Sequence, residues 1–203
     1  MKKKIVFAST NQGKLREYRE IAEVYNQDVD IISPYDLDIV FHVEETGSTY
    51  EENAKIKALA MKEYLENNPI EKLGDDFIIL SDDSGLEVES LGGAPGIYSH
   101  RYAEKGKHCE KLISELGDKD PKALYITAIC LILPDGEIVT SRGECRGKIS
   151  KKPSGICKDG FEFYSIFIPD EKSPKTLAEL STIERITVSH RSKAFWKASV
   201  YFH

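Results

Sequence analysis

Twelve residues, Phe77 to Val88 (FIILSDDSGLEV), constrain the rest of the chain. Phe77, Ile78, Ile79 and Leu80 have the length and β-branched content of a buried strand. They run into Ser81-Asp82-Asp83-Ser84-Gly85, a cluster of turn-forming residues. The pattern predicts a buried strand that ends in an acidic turn. Two adjacent carboxylates at such a place repel each other, and desolvation adds to the cost. A cation is expected opposite them, unless the cluster is simply a solvated Asp-rich turn.

At 203 residues the chain has room for a real core, as one domain or two closely joined lobes. A net charge of −6 argues against a bulk nucleic-acid binder, which would carry a basic patch or stripe. A polyanionic ligand must therefore meet locally gathered Lys, Arg or metal. The four cysteines (Cys109, Cys130, Cys145, Cys157) form no CxxC pair, which disfavours a zinc site. Cys130 lies in an apolar run and reads as a reduced core thiol. MKKKIVFAST is basic and then apolar, but its apolar part is too short for a signal sequence. No apolar run approaches the ~20 residues of a membrane span. A cytoplasmic protein without a membrane partner is expected.

Lys4 to Ala8 reads as a short buried strand and Ser9 to Lys14 as the turn after it. From Leu15 a helix is predicted, with Leu15, Tyr18, Ala22 and Tyr25 on one face. Strand, small polar loop and helix N-terminus together present backbone N–H groups to an anion. Lys14 falls in or near the first turn, where the helix dipole disfavours a cation. A bound phosphate would remove the conflict, and so would snorkelling into water. The loop is not a GxxxxGK[ST] phosphate loop.

Gln27 to Val43 reads as a loop and an irregular strand. Thr49 and Glu52 have the spacing of a capping box opening a second helix, whose apolar stripe is Ala54, Ala58, Met61 and Leu65. Lys57 falls about 60° from the centre of that stripe, with Asn53 one turn before it. It either snorkels or lines a cleft. Leu91 to Ser99 is a Gly/Pro loop without periodicity. A helix is predicted over Lys107–Leu116, a strand over Ala123–Leu133, and a hairpin partner over Ile138–Ser141. Strands resume around Arg146–Ser150 and again over Phe161–Ile168. A last helix starts from Ser189, placing Ala194, Ala198 and Tyr201 on one face and His190 and Arg191 in the first turn.

The candidate groups are the carboxylates Glu44, Glu45, Asp82 and Asp83, the cations Lys14, Lys57, His190 and Arg191, and the small polar Thr10, Asn11, Asn53 and Ser84. Carboxylate oxygens favour Mg²⁺ or Mn²⁺ over zinc. Lys and Arg beside such a metal would neutralise a polyphosphate, and a free carboxylate could activate a water. That combination suits hydrolysis at phosphorus, where positioning and charge stabilisation dominate. No Ser/His or Cys/His arrangement for acyl transfer is legible.

The chain resembles the inosine/xanthosine triphosphate pyrophosphatase family, the Ham1-like non-canonical purine NTP pyrophosphatases. The resemblance is carried by Thr10-Asn11-Gln12-Gly13-Lys14, Glu44-Glu45-Thr46-Gly47, Glu52-Asn53-Ala54 with Lys57-Ala58, and Ser81-Asp82-Asp83-Ser84-Gly85-Leu86. Further on it is carried by Gly92-Gly93-Ala94-Pro95-Gly96-Ile97-Tyr98-Ser99 with Arg101-Tyr102, and by Ser189-His190-Arg191. It implies an α/β fold with a mixed central sheet flanked by helices, two lobes with a central cleft, and a homodimer. It also implies Mg²⁺-dependent hydrolysis of an NTP to the monophosphate and pyrophosphate.

Carried over by position, Asn11 and Lys14 bind phosphates and Lys57 lies along the triphosphate. Glu45 and Asp83 hold the metal, and Asp83 also orients or activates the attacking water, with Asp82 behind them. Ser84 and Gly85 floor the phosphate site, and Phe161 stacks on the base. His190 and Arg191 contact the base. Arg185 stands where the family has a base-contacting Lys, and its fork is bulkier. Glu162, Tyr164 and Ser165 replace the family's Gly, Asp and Pro. The phosphate half of the pattern is thus intact and the base half altered. A different base preference, or a nucleotide-binding protein with little catalysis, are the alternatives.

Overall fold

A computed structural model describes residues 2–156, 161 and 163–202. Its centre is a seven-stranded mixed sheet, and five α-helices are present among the described residues. The strands are β1 (Lys3–Phe7), β2 (Val29–Ile32), β3 (Phe77–Val88), β4 (Pro95–Gly96), β5 (Lys122–Ile132), β6 (Ile138–Ile149) and β7 (Phe167–Pro169). The helices are α1 (Gln12–Val24), α2 (Tyr50–Asn67), α3 (His108–Leu116), α4 (Thr182–Val188) and α5 (His190–Ala198). The sheet order is β2-β1-β3-β5-β6-β7, with β4 on β3. β1 is parallel to both neighbours, whereas β3–β4 and β6–β7 are antiparallel. The expected α/β class with a mixed sheet and flanking helices is what forms.

The chain divides into two compact units. The first comprises Met1–Asp83, Ala128–Arg142 and Ala194–His203. On one face of its strands Val6, Ala8, Ile79, Cys130 and Ile132 pack with Ala54, Ala58, Met61 and Leu65, the stripe read from the sequence of α2. On the other face Phe7 meets Tyr18 of α1 edge-on at 5.1 Å, and Tyr18 meets Phe195 at 5.6 Å. The second unit comprises Ser84–Thr127 and Gly143–Lys193. Its core joins Leu86, Val88, Tyr125, Cys145 and Ile149 to Leu112 and Leu116 of α3, and to Phe163, Tyr164, Ile166 and Phe167.

Four expectations are corrected. The acidic cluster is no turn, because β3 runs through it from Phe77 to Val88. A strand alternates its side chains between faces, so neighbouring Asp82 and Asp83 point to opposite sides of the sheet, and the repulsion expected of two carboxylates in one turn is reduced. β6 is one strand of 12 residues. From Gly143 it alternates buried and less buried positions, so its glycines are not breakers. A Cβ at Gly147 would press on Phe167 Cζ at 2.7 Å, so the missing side chain is what lets β7 approach. Residues 163–166 form tight turns instead of a strand. Tyr164 donates to the Phe161 carbonyl at 3.0 Å and Ile166 to that of Phe163 at 3.1 Å. Residues 163–167 are all buried, a pattern that period-two alternation cannot produce. Finally, Tyr201 lies in a 3₁₀ turn after α5 and is 39% exposed. Glu162 and Cys157, both singled out from the sequence, lie outside the described residues.

Candidate active site

In the first unit α1 joins β1 to β2, and α2 lies in the connection that returns from β2 to β3 on the other side of β1. Right-handed crossovers to opposite sides of one strand place their helices on opposite faces. The chain direction therefore switches between β1 and β3, and open α/β sheets bind ligands beyond the carboxyl ends of the strands at such a point. β1 stops pairing at Phe7↔Leu80, so Ser81, Asp82 and Asp83 continue past its end.

On the α1 face, the Lys14 ammonium lies 3.0 Å from Asp82 Oδ1, and Asp82 is fully buried. α1 begins at Gln12, three residues before the expected start, because Asn11 caps it: its Oδ1 accepts from the Lys14 N–H at 3.0 Å. Lys14 therefore does sit in the first turn. Asp82 offsets the unfavourable dipole, where a phosphate or solvent was expected to do so. Thr10, in the preceding loop, is exposed.

On the α2 face, Asn53 is fully buried and binds in two directions. Its Nδ2 donates to Asp83 Oδ2 at 3.1 Å, and its Oδ1 accepts from the Gly47 N–H at 2.8 Å. A Cβ on Gly47 would fall 2.7 Å from that same Oδ1, so the close approach requires glycine. Thr49 caps α2 through the Glu52 N–H, but the Glu52 carboxylate reaches one residue further back, to the Ser48 N–H and hydroxyl at 2.7 and 2.8 Å. The 45–49 segment is thereby fastened to the start of α2. Lys57 Nζ then stands 2.5 Å from Glu45 Oε1 and 3.7 Å from Asp83 Oδ1. Lys57 is 8% exposed and its ammonium faces two carboxylates, so it does not snorkel into water. Glu44 is exposed and takes no part in this arrangement.

Three carboxylates thus meet two ammonium groups. Burial raises the Asp83 carboxyl above the usual range, although Lys57 and Lys14 pull it down. For Glu45 burial acts in the same sense, but the nearer Lys57 outweighs it and holds the carboxyl low. Burial opposes the Lys57 charge, yet Asp83, Asp82 and Glu45 together keep the proton on and push its pKa up. Among the described residues no group of three or more His, Cys, Asp and Glu is placed to hold a metal. Glu45 and Asp83, two carboxylates about one ammonium, are of the kind that can hold a hard divalent ion together with water and substrate phosphates. The excess of one carboxylate over the lysines also leaves the set attractive to a cation.

The second unit gathers a different chemistry. Ser189 accepts from the Ser192 N–H at 3.1 Å and so caps α5, as expected. Arg191 and His190, in its first turn, are both buried. Arg191 Nη2 donates to Ser84 Oγ at 3.1 Å, and Nη1 lies 3.4 Å from the Tyr164 hydroxyl. Its guanidinium stands 5.7 Å from the centre of the Phe161 ring, which is stacked on Tyr164 at 4.6 Å. His190 lies flat on Tyr125 at 4.5 Å with an interplanar angle of 11°. Tyr125 carries no signal in the sequence, since an aromatic in an apolar strand reads as core. Gly85 is buried in β3. Arg185 is half-buried on α4, a helix absent from the sequence reading although Ser181 and Glu184 spell its capping box.

Residues 5–201 match the Ham1 family pattern. The chain belongs to the Ham1 family. Among its Ham1 relatives, a dITP/XTP pyrophosphatase of Clostridium perfringens (strain 13 / Type A) is 40% identical, covering 96% of this chain and 95% of its own. One of Bacillus subtilis (strain 168) is 36% identical, covering 97% and 96%. The solved structure of the Staphylococcus aureus Ham1 protein superposes with a TM-score of 0.78 at 36% identity, covering 98% of this chain and 97% of that one. Ham1 pyrophosphatases are generally dependent on a divalent metal, in keeping with the carboxylate-rich set of the first unit.

Proposed function

We propose that this protein hydrolyses non-canonical purine nucleoside triphosphates such as ITP, dITP and XTP to the monophosphate and pyrophosphate, clearing them from the nucleotide pool. The observation that carries the reading is the meeting of Glu45, Asp82 and Asp83 with Lys57 and Lys14 on the part of β3 that runs past the end of β1. Asp83, kept reluctant to ionise by burial, takes a proton from the attacking water. The water oxygen bonds to the α-phosphorus as the bond to the bridging oxygen breaks, and pyrophosphate leaves. Lys14 and Lys57 neutralise the phosphate oxygens, while Asn53 holds Asp83 in orientation. Glu45 and Asp83 would hold a divalent ion, Mg²⁺ or in its place Mn²⁺, which would supply further positive charge to the phosphates when bound.

Thr10, Asn11, Asn53, Ser84 and Gly85 are assigned, with Lys14 and Lys57, to substrate binding, and Phe161, Arg185, His190 and Arg191 to the base. We read the 203 residues as one functional domain with two lobes that works as a homodimer in the cytoplasm. No helix among the described residues is long and apolar enough to cross a membrane. Incubation with ITP and Mg²⁺ should release pyrophosphate. Release of orthophosphate, or no turnover, would overturn the reading.

One observation favours a variant of it. The Tyr164 phenol, not a carboxylate, stands beside Arg191 in the second unit. A hydroxyl both donates and accepts, whereas a carboxylate only accepts, so the preference among bases is open to change with the chemistry kept. A panel of NTPs ranked by pyrophosphate release separates the two: ITP and XTP lead in the first reading, another nucleotide in the second.

A further inference from the structure

We propose that Lys57 is an internal counter-cation that holds Glu45 and Asp83 together while no nucleotide is bound, and yields them to a divalent ion only when a triphosphate arrives to receive its ammonium. The inference rests on the assignment of Glu45 and Asp83 as the metal-holding pair.

The geometry singles out Lys57 among the cations. Its Nζ touches the carboxylates of both proposed ligands, at 2.5 Å from Glu45 and 3.7 Å from Asp83. Lys14 makes its ion pair with Asp82, and its charge reaches Asp83 and Glu45 only as the weaker of the two lysines. Asp83 and Lys57 are both buried and Glu45 is half-buried, so two carboxylates brought together here without a cation would repel in a poorly screened setting. Lys57 supplies that cation from within the chain.

The rest of the local structure allows the lysine to leave without the ligands scattering. Asn53 grips Asp83 through Oδ2, whereas Lys57 faces Oδ1. The same Asn53 fastens Gly47, two residues from Glu45. Ala54 and Ala58, fully buried on either side of Lys57, fix the helix backbone, so only the lysine side chain has to move. Both carboxylates therefore keep their place when the ammonium swings off.

Charge then decides the order of events. A divalent ion added beside a resident ammonium meets repulsion, and an ammonium pushed off Glu45 and Asp83 gives up two of the three carboxylates that hold its charge. With a triphosphate present the ammonium passes to its oxygens and the conflict disappears. Metal and nucleotide must each strengthen the binding of the other by the same factor.

The test is a Mn²⁺ titration followed by electron paramagnetic resonance, with and without an α,β-imido analogue of ITP that cannot be cleaved. In the wild type the analogue should tighten Mn²⁺ binding by at least about fivefold, the lower end of ordinary coupling between sites. Lys57→Met should bind Mn²⁺ alone more tightly than the wild type and show little coupling, whereas Lys57→Arg should keep it. The melting temperature of Lys57→Met should also rise more on adding Mn²⁺ than that of the wild type. The wild type alone can overturn the proposal, should the analogue leave its Mn²⁺ affinity unchanged, whether or not Lys57→Met folds. Equal Mn²⁺ affinity in wild type and Lys57→Met would equally sink the exchange, leaving the metal assignment standing. No Mn²⁺ binding in any form, even with the analogue, would remove the assignment and the inference with it.

Discussion

Asp82 and Asp83 are adjacent in the chain, yet they do separate work because a β-strand sends them to opposite faces. Each meets one lysine from the helix on its side. Asp83→Asn should lower pyrophosphate release by about a hundredfold or more, the scale of losing a positioned base. The sign of its pKa shift makes a second statement. Folding favours the neutral form of Asp83 over the charged one, so the neutral amide should leave the melting temperature unchanged or raise it. Normal turnover in the variant would remove Asp83 from the chemistry. Lys14→Ala should do the reverse to stability. It takes the Lys14 ammonium from the fully buried Asp82 carboxylate, at a cost of about 3 kcal/mol, the lower end for breaking a buried pair. Chemical denaturation measures that loss, and kinetics should show a raised KM or a lowered kcat.

At the scale of elements, the sequence announced the helices better than the strands. The stripe of α2, its Thr49 cap and the Ser189 cap of α5 were all legible, because capping and 3.6-residue periodicity are local physics. The expectation that a cation faces the acidic pair was legible too. β3 was misread beyond Leu80, since its continuation depends on partners on both sides and on lysines brought from distant helices. The aromatic run after Phe161 was misread for the same kind of reason: β propensity says that such residues suit a pleated surface, and tertiary burial overrode it. Gly47 shows what local reading cannot see, for its need for glycine arises from Asn53 six residues away. Gly47→Ala should therefore cost about 1–3 kcal/mol of stability, as overpacking does. It should also raise the metal concentration needed for half-maximal activity, which a metal titration of the rate would show. An unchanged titration would mean that the 45–49 segment does not depend on this anchor.

For the molecule as a whole, two cores in separate units account for where the thiols went. Burial pushes Cys130 up to about 11 and Cys145 up to about 12, so neither forms thiolate until pH approaches those values. Iodoacetamide at pH 8 should leave both unmodified in the native protein and label both after denaturation, as read by mass spectrometry of peptides. Labelling of Cys145 in the native protein would show that the core of the second unit opens.

The chain crosses from one unit to the other within β3, within β5, at the Arg142/Gly143 step of β6, and within α5. Neither unit is a contiguous stretch of sequence. A graft of the second unit alone would therefore have to arrive in two separate pieces, Ser84–Thr127 and Gly143–Lys193. On the proposed reading, a new choice of nucleobase is open to single substitutions that leave this interleaving intact, with Tyr164 beside Arg191 as the first position to vary.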